Sequence, residues 1–501
     1  MRRGPLAGRY AATASMVMLA LIPYLALSAA LDPLAPIITR QLHMSPQTMS
    51  LSSGLGNAAY ALGTVLAVQL SLHLPQRRML LVYAVVLVVG SVLTAAAQDA
   101  AMYIVGHTLQ GLATSMLLIA AVPPLALGYP RHKLPSTVVI MNMCIFGAVA
   151  LGPFIGGVQA DADAWRPLFW IIAAISVAAL LLVLLTFEDA PPANPDAPRD
   201  IPAILLAAAG SVAAFLGASE LTSHDFLDPE VIAPLIGGLA LIVVLIVYQC
   251  RAARPLLTIR PMLTRSIPVA GVVTALFAAA ASVSATVLTA AVLAERYGPV
   301  RVGLLYLPEL GGAVISSIAF GVVISRRSLH FLPLVGMILL AVGTLLFRFA
   351  MPANQPLALV AAGLTGLALG ATVAPALFVA GFSLPSPSLQ RVFAIVELLR
   401  AVAAFMIAPI FAHFAATVSD NLEDGTNIAL WVGLGLALLG AGTGVAIYAL
   451  SGARPQAPDI DAFIGGVRPA WDSPPLLSRL RRRVDLGDLD MKIPVPEGVE
   501  R

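Results

Sequence analysis

Four residues that can bind or release a proton lie in or beside long apolar segments: Asp32, His107, Glu309 and Glu397. An ionisable side chain inside a membrane-spanning segment costs at least about 2.5 kcal/mol to insert, so each one needs a partner or a function. Carboxylates and imidazoles in such segments form proton relays in pumps and transporters. We therefore identify these four residues as candidates for proton coupling.

Each candidate also has a structural interpretation that the sequence leaves open. Asp32 ends the first apolar segment, where it can be an interfacial residue in water. His107 can be a neutral histidine hydrogen-bonded between helices. Glu309 follows Pro308 and has only Arg301 as a basic neighbour in sequence, so it either reaches a cavity or binds a proton and stays neutral.

Glu397 has a second charged residue close to it in sequence. Arg400 lies three residues later in the same apolar segment, so the two side chains share one face of a helix. A structural ion pair is the favoured interpretation, because each charge then partly neutralises the other. A role for Glu397 in substrate binding or proton coupling is the alternative.

Uncharged polar residues within the apolar segments are candidates for the wall of a cavity: Tyr24, Asn57, Gln110 and Asn142, together with the charged Arg400. Hydrogen bonding between helices is the commoner use of such polar side chains. Tyr24, Tyr60 and Tyr306 can also contact an aromatic or cationic substrate through their rings. Packing is the alternative for all three tyrosines.

The composition indicates that membrane helices position these residues. Of the 501 residues, 59% are hydrophobic and 11% are charged, whereas soluble domains contain about 25% charged residues. Fourteen apolar windows, from about residues 10–31 to about 427–450, are long enough to cross a bilayer core of about 30 Å. We therefore predict an all-α integral membrane protein with fourteen transmembrane helices.

The basic residues of the loops indicate the orientation of the chain. Most arginines and lysines fall on the side that carries the N-terminus, and the opposite loops hold only Arg40, Arg166, Arg296, Arg301 and Arg348. The positive-inside rule then places both termini in the cytoplasm. The abundance of arginine and alanine suggests a bacterial source, and hence the inner membrane. This placement explains the formal charge of +3, so nucleic acid is not an expected partner.

A weak internal repeat suggests how the helices are grouped. Residues 110–113 read Gln-Gly-Leu-Ala in the fourth segment and residues 365–368 read Thr-Gly-Leu-Ala in the twelfth. Two similar six-helix halves place a cavity between them near the membrane midplane. We predict an N-terminal half at 1–190, two inserted helices with linkers at 191–266, a C-terminal half at 267–450, and a largely disordered cytoplasmic tail at 451–501 that touches anionic lipid.

The fifth apolar segment contains Gly147, Gly152, Pro153, Gly156 and Gly157. Glycines allow a neighbouring helix to approach closely, and the proline favours a kink. The sequence Gly-Pro-Phe-Ile-Gly-Gly resembles the antiporter motif of the major facilitator superfamily, in the expected fifth span. A packing motif without an export role is the alternative.

Two other motifs of that family are altered. The fourth-span pattern Arg-x-x-Gln-Gly has His107 in place of arginine, which replaces a fixed charge by one that can titrate. The loop after the second span, residues 68–77, lacks the family's glycines and its aspartate, and a basic pair, Arg77 and Arg78, survives. In the family this aspartate helps to latch the halves in the outward-facing state, so the usual gating is in doubt.

Fourteen spans, the glycine motif and Trp165-Arg166-Pro167 at the start of the sixth span together resemble the fourteen-helix drug:proton antiporter branch over about residues 10–450. The resemblance implies a non-enzymatic secondary transporter that exports small amphipathic or drug-like molecules by proton antiport with alternating access, and hence multidrug resistance. Small-molecule substrates, protons and membrane lipid are the expected partners. An uncoupled or importing metabolite transporter, or a non-transporting membrane scaffold or sensor, remains the alternative.

The sequence indicates neither a cofactor nor a metal site. It contains no Walker A motif for ATP, so any driving energy is expected to come from an ion gradient. Its two cysteines, Cys144 and Cys250, lie in or at the edge of apolar segments and indicate neither a disulfide framework nor metal ligation.

Overall fold

The computed structural model describes residues 5–186, 192, 194–476 and 478, and within them the chain is helical without a β-sheet. Among these described residues, fourteen helical segments are long and apolar enough to cross a membrane, which confirms the predicted number. In chain order they are α1 (Tyr10–Gln41), α2 (Pro46–His73), α3 (Gln76–Ala95), α4 (Ala100–Leu127), α5 (Arg131–Asp161), α6 (Arg166–Thr186), α7 (Ile201–Thr222), α8 (Pro229–Arg251), α9 (Ser266–Ala294), α10 (Pro299–Val323), α11 (Arg327–Ala350), α12 (Gln355–Phe382), α13 (Ser386–Thr417) and α14 (Leu422–Ser451).

Local sequence explains several helix ends. The Ser45 and Asp99 side chains accept hydrogen bonds from the first turns of α2 and α4, as expected of N-cap residues. α14 ends at Gly452, whose φ of 73° lies in the left-handed region that favours glycine. α1 extends ten residues beyond its apolar window to Gln41, so Asp32 lies inside the helix.

Two of the fourteen segments are irregular. α5 consists of a 3₁₀ turn at Arg131–Lys133, an α-helix at Leu134–Asn142, a π-helical turn at Met143–Gly147, and an α-helix at Ala148–Asp161. The irregularity therefore begins before Pro153, where the sequence predicts a kink. α10 consists of Pro299–Tyr306 and Pro308–Val323, because Pro308 has no backbone N–H to continue the hydrogen-bond ladder.

The helices pack as two bundles, α1–α6 and α9–α14, which meet along α2 with α13 and along α5 with α10. The inserted helices α7 and α8 pack on each other, and α7 lies against both α2 and α13. The predicted domain division, with its boundaries at residues 190, 266 and 450, stays a prediction. We call the face with the start of α1 and the end of α14 the terminal face, and the other the opposite face.

The apolar core differs between the two faces. On the terminal side, one continuous cluster of buried side chains contains residues of both bundles, for example Leu117 of α4, Val379 of α12 and Val396 of α13. Toward the opposite face the buried residues divide into separate clusters, one around Trp165 in the first bundle and others around Phe347 and Phe411 in the second. Toward the opposite face the bundles instead meet through the backbones of α5 and α10, where Gly157 packs on Pro299.

Part of the C-terminal tail is packed, which corrects the expectation of disorder for residues 452–476. A short helix at Ile460–Ile464 places Phe463 against Phe382, and the Trp471 ring lies 4.4 Å from the His330 ring. Trp471 Nε1 donates a 2.8 Å hydrogen bond to Ser383 Oγ. Burial of these aromatic side chains provides the driving force that the prediction overlooked. Residues 479–501, which include the basic run at 481–483, lie outside the described residues.

The tail also reaches the first bundle. Arg131, at the start of α5, forms a 2.6 Å ion pair with Asp461 of the short tail helix. Nearby, Arg468 and the backbone N–H of Ala462 hydrogen-bond the Asp459 carboxyl and lower its pKa. The tail therefore contacts both bundles on the terminal face.

Candidate functional site

The predicted pair of Glu397 and Arg400 forms on α13, and it is bound to the other bundle. Arg400 donates hydrogen bonds of 2.9 Å from Nε and 2.7 Å from Nη2 to Glu397 Oε2. The same carboxylate oxygen accepts a 3.3 Å hydrogen bond from Tyr60 OH of α2. Only 12% of the Arg400 side chain and 5% of the Glu397 side chain are exposed. A nearly buried ion pair therefore joins the two bundles where α2 meets α13.

Tyr24 and Asn57 extend this polar group into the first bundle. Tyr24 OH donates a 2.8 Å hydrogen bond to Asn57 Oδ1, and the Tyr24 ring stacks on the Tyr60 ring with their centroids 5.8 Å apart. Asn57 is half-buried, whereas both tyrosines are buried. The polar atoms of α1, α2 and α13 therefore converge in one region of the membrane core.

His107 is enclosed by aromatic rings. Its ring centroid lies 5.4 Å from that of Tyr24 and 6.0 Å from that of Tyr103, one turn earlier on α4. The side chain is 1% exposed, and its Nδ1 has no hydrogen-bond partner in the described part of the chain. Such a cage fits a neutral imidazole, because an unpaired buried charge is costly. The structural interpretation of His107 and its role in proton coupling both stay predictions.

Asp32 is exposed, and the surrounding face of α1 is not a lipid-facing surface. Ala30 and Pro33 contact α5, whereas Leu31 and Leu34 belong to the buried cluster with Trp165. Across the described chain, α3, α6 and α8 expose large apolar side chains but α1 exposes none. Asp32 lies eight residues, or about 12 Å, from Tyr24 along the helix toward the opposite face. It therefore lies at an exposed position on a helix whose neighbouring residues pack within the first bundle.

Glu309 lies apart from this group, in the second bundle. The residue is 5% exposed and forms no ion pair among the described residues. Its backbone packs on Gly366 of α12, since a β-carbon at Gly366 would lie 2.7 Å from the Glu309 carbonyl carbon. An unpaired carboxyl at such a position remains a candidate for proton binding.

Two further cavity candidates, Gln110 and Asn142, also hydrogen-bond between helices. Gln110 Nε2 donates a 3.1 Å hydrogen bond to Ser91 of α3, within the first bundle. Asn142 Nδ2 donates hydrogen bonds of 3.0 Å to Ser317 Oγ and to the Gly370 carbonyl, both in the second bundle. Asn142 immediately precedes the π-helical turn of α5, so this turn lies at a polar contact between the bundles.

The glycine motif of α5 makes the predicted close contacts with neighbouring helices. A β-carbon at Gly156 would lie 2.5 Å from the Ala30 carbonyl oxygen of α1, and one at Gly157 would lie 2.5 Å from the Pro299 carbonyl oxygen of α10. Gly152 approaches Ala29 in the same way. Gly147 differs, because a β-carbon there would meet only Leu310 Cδ1 at 3.5 Å. These contacts support packing as the local role of the motif.

The altered loop after α2 is hydrogen-bonded to the linker that precedes the inserted helices. Leu72 accepts a hydrogen bond from the Asn194 backbone N–H, and His73 Nε2 lies 2.8 Å from the Ala197 carbonyl oxygen. Arg77 donates to the Leu184 carbonyl at the end of α6, and Arg78 is exposed. The loop therefore binds the linker before α7, an arrangement that the family resemblance does not imply.

The family of the chain follows from a sequence comparison. A family model described as Major Facilitator Superfamily matches residues 17–323, which is more than half of the 501 residues. The chain belongs to the major facilitator superfamily. Proteins of this family and fold are transporters and not enzymes. The glycine motif and the span order predicted this superfamily, and the comparison confirms it.

Several facilitator proteins resemble this chain over different lengths. The uncharacterized MFS-type transporter YubD of Bacillus subtilis is 26% identical over 437 residues, which cover 83% of each protein. A multidrug resistance protein B homolog of Mycobacterium tuberculosis is 24% identical over 60% of this chain. The tetracenomycin C resistance and export protein of Streptomyces glaucescens is 25% identical over 61% of this chain. The matches cover only 56% and 57% of these two relatives.

Solved structures confirm the facilitator fold. The proton:xylose symporter XylE superposes with a TM-score of 0.60 at 13% identity, covering 87% of this chain and 95% of that structure. A POT family transporter in complex with 5-aminolevulinic acid superposes with a TM-score of 0.63 at 14% identity, covering 88% and 95%. At these identities the likeness establishes the fold alone.

Sequence reasoning missed the aromatic neighbours of the candidate residues. Tyr103 stacks on His107 from the preceding turn, and their spacing of four residues was visible in the sequence. The contact of Tyr60 with Glu397 joins residues 337 positions apart, so no local pattern identifies it. The resulting group combines an acid, a fixed cation, phenol hydroxyls and aromatic rings, which can bind a proton or a cationic aromatic molecule.

Proposed function

We propose that this facilitator protein exports small amphipathic or drug-like molecules across the bacterial inner membrane in exchange for protons, with both termini in the cytoplasm. The contact of Tyr60 with the Glu397–Arg400 pair carries the proposal, because it links a titratable group to the junction of the two halves. The export and resistance activities in the names of two relatives support the direction and the substrate class.

In the proposed mechanism, the charge of Glu397 decides whether α2 and α13 are held together. The ionised carboxylate accepts hydrogen bonds from Arg400 and Tyr60, and charge-assisted hydrogen bonds of this kind are the strong ones. A proton that enters from the opposite face, past Asp32, neutralises the carboxylate and weakens both bonds. The halves then rearrange, and the proton leaves on the terminal side.

A substrate cation takes the place of the proton in the other half of this cycle. It binds the ionised site from the terminal side, against the carboxylate and the rings of Tyr24 and Tyr60, since aromatic faces attract cations. Proton and substrate compete for one negative charge, so each turnover exchanges them. His107, Asp32 and Glu309 are further candidates in the proton path.

Proton movement in proteoliposomes tests this mechanism. A pH dye reports protons when lipophilic cations are added to wild type, Glu397→Gln and the matched control Glu423→Gln, whose carboxylate pairs with Arg296 at the surface. We expect a proton signal with wild type and with the control, and its loss in Glu397→Gln. Variants Asp32→Asn, His107→Gln and Glu309→Gln, measured beside them, rank the other candidates.

The alternatives give different results in the same vesicles. Substrate flux without a proton signal in wild type identifies an uncoupled carrier, and accumulation in the reverse direction identifies an importer. Binding without flux supports a scaffold or sensor. An unchanged proton signal in Glu397→Gln contradicts the assigned role of this residue.

A further inference from the structure

A groove lies between α5 and α10 in the terminal half of the membrane region. Its volume is about 480 Å³. It is lined by Pro135, Ser136, Val139 and Ile140 of α5 and by Ile318, Gly321 and Val322 of α10. Ile318 and Val322 are 54% and 53% exposed, and Ser136 is exposed. Large apolar side chains exposed on a membrane helix face lipid, so the groove opens toward the hydrocarbon.

The floor of the groove is a contact between the two halves of the transporter. A β-carbon at Gly321 would lie 3.1 Å from the Pro135 carbonyl oxygen and even closer to the Val139 side chain. α5 belongs to the first half and α10 to the second. A molecule in the groove therefore touches both halves where they meet.

Three cations are close in sequence to the residues that line the terminal end of the groove. Lys133 is two residues before Pro135, with its Nζ 5.4 Å from the centre of the Tyr10 ring. Arg326 and Arg327 follow Val322 within five residues and are exposed, and neither forms an ion pair in the described chain. The loop segments 128–133 and 324–328 contain no acidic residue, and the tail residue Asp461 is already paired with Arg131 of the first segment.

We propose that this groove binds an anionic phospholipid. One acyl chain lies along the apolar lining, and the headgroup phosphate binds Arg326, Arg327 and Lys133. Basic pockets between helices at the membrane surface bind anionic headgroups in this way. The apolar lining distinguishes the ligand from a free phosphate, and the excess of cations distinguishes it from a zwitterionic lipid.

A lipid at this position stabilises the present arrangement of the halves. It contacts α5 and α10 across a junction that must change if the terminal side is to open. Because the lipid binds the present arrangement better than an arrangement that is open on the terminal side, it shifts the population toward the present arrangement. The site is independent of the polar group around Glu397, so its test does not depend on proton coupling.

The test measures lipid binding to the purified full-length protein in detergent, by native mass spectrometry with phosphatidylglycerol and with phosphatidylcholine. We expect preferential binding of phosphatidylglycerol, reduced at least about tenfold in Arg326→Gln/Arg327→Gln, since each cation near an anionic headgroup contributes about a fivefold change. The matched control is Arg251→Gln/Arg254→Gln, which removes two exposed cations from the same face and should leave the preference unchanged.

Groove-filling variants test the position of the acyl chain. Ser136→Phe and Val322→Trp each place a large side chain at an exposed position, where folding is preserved, and both should reduce phosphatidylglycerol binding. Equal losses in both arginine pairs would show general surface charge and overturn the proposal. Full binding in both groove variants, or displacement of the lipid by equimolar inorganic phosphate, would overturn it as well.

Discussion

At the scale of single residues, the Glu397–Arg400 pair is the most informative feature of this transporter. A buried ion pair is not by itself strong evidence of stabilisation, because desolvation offsets much of the attraction. Removing one partner is costly nevertheless, since the remaining charge is left buried. The Tyr60 hydroxyl adds a hydrogen bond from the other half, so the energy of the pair is coupled to the arrangement of the two halves.

A double-mutant cycle should reveal this coupling. We expect Arg400→Gln to lower the free energy of unfolding by about 3 kcal/mol, and Glu397→Gln/Arg400→Gln to cost less than the sum of the two single variants. Reversible denaturant unfolding in mixed micelles measures each value. The surface pair Arg296–Glu423, with 48% and 25% of its side chains exposed, is the control and should show coupling below about 1 kcal/mol. Additive losses in the buried pair would refute the coupling.

At the scale of helices, α5 determines how the halves fit together. It contacts α1 within its own half through Gly152 and Gly156, and α10 in the other half through Gly157. The π-helical turn at Met143–Gly147 separates this close-packed part from the part that carries Asn142. π-turns in helices occur frequently at functional sites. The antiporter-like motif therefore makes close helix contacts next to a polar contact between the halves, and its export role stays a prediction.

Alanine substitutions within the motif should have unequal effects. Gly156→Ala places a methyl group against the backbone of Ala30, and we expect a loss of about 1–3 kcal/mol in stability. Gly147→Ala meets only Leu310 at 3.5 Å and should be tolerated, which makes it the matched control. Thermal unfolding in detergent, together with the yield of folded protein, provides the measurement. Similar melting temperatures for the two variants would contradict the observed packing.

At the scale of the whole molecule, the two faces are organised differently. One apolar cluster contains residues of both halves, whereas the clusters around Trp165 and Phe347 toward the opposite face each belong to one half. The tail contacts both halves on the terminal face through Trp471 and through the Arg131–Asp461 ion pair. On the opposite face the loop after α7 reaches α13, where His413 Nδ1 lies 3.0 Å from the Leu221 carbonyl oxygen. Asp32 lies toward the opposite face at an exposed position of α1.

Cysteine labelling should detect this difference. In a background of Cys144→Ala/Cys250→Ser, we expect Asp32→Cys to react with a membrane-impermeant maleimide, because its position is exposed. Leu31→Cys, one residue away and 6% exposed, is the matched control and should react slowly, as should Val379→Cys on the terminal side at 3%. Labelling rates in reconstituted vesicles measure accessibility. Equal rates at positions 31 and 32 would contradict the described orientation of α1.

The sequence by itself determined the fourteen spans, the superfamily and the close approach of the α5 glycines, because apolar length and residue size are local properties. It also placed Glu397 and Arg400 on one helical face. Only the tertiary structure decided that this pair binds Tyr60, that Gln110 bonds within its own half, and that residues 452–476 are packed. These contacts join distant parts of the chain, and their energies arise only when desolvated surfaces meet. No local sequence pattern encodes such contacts.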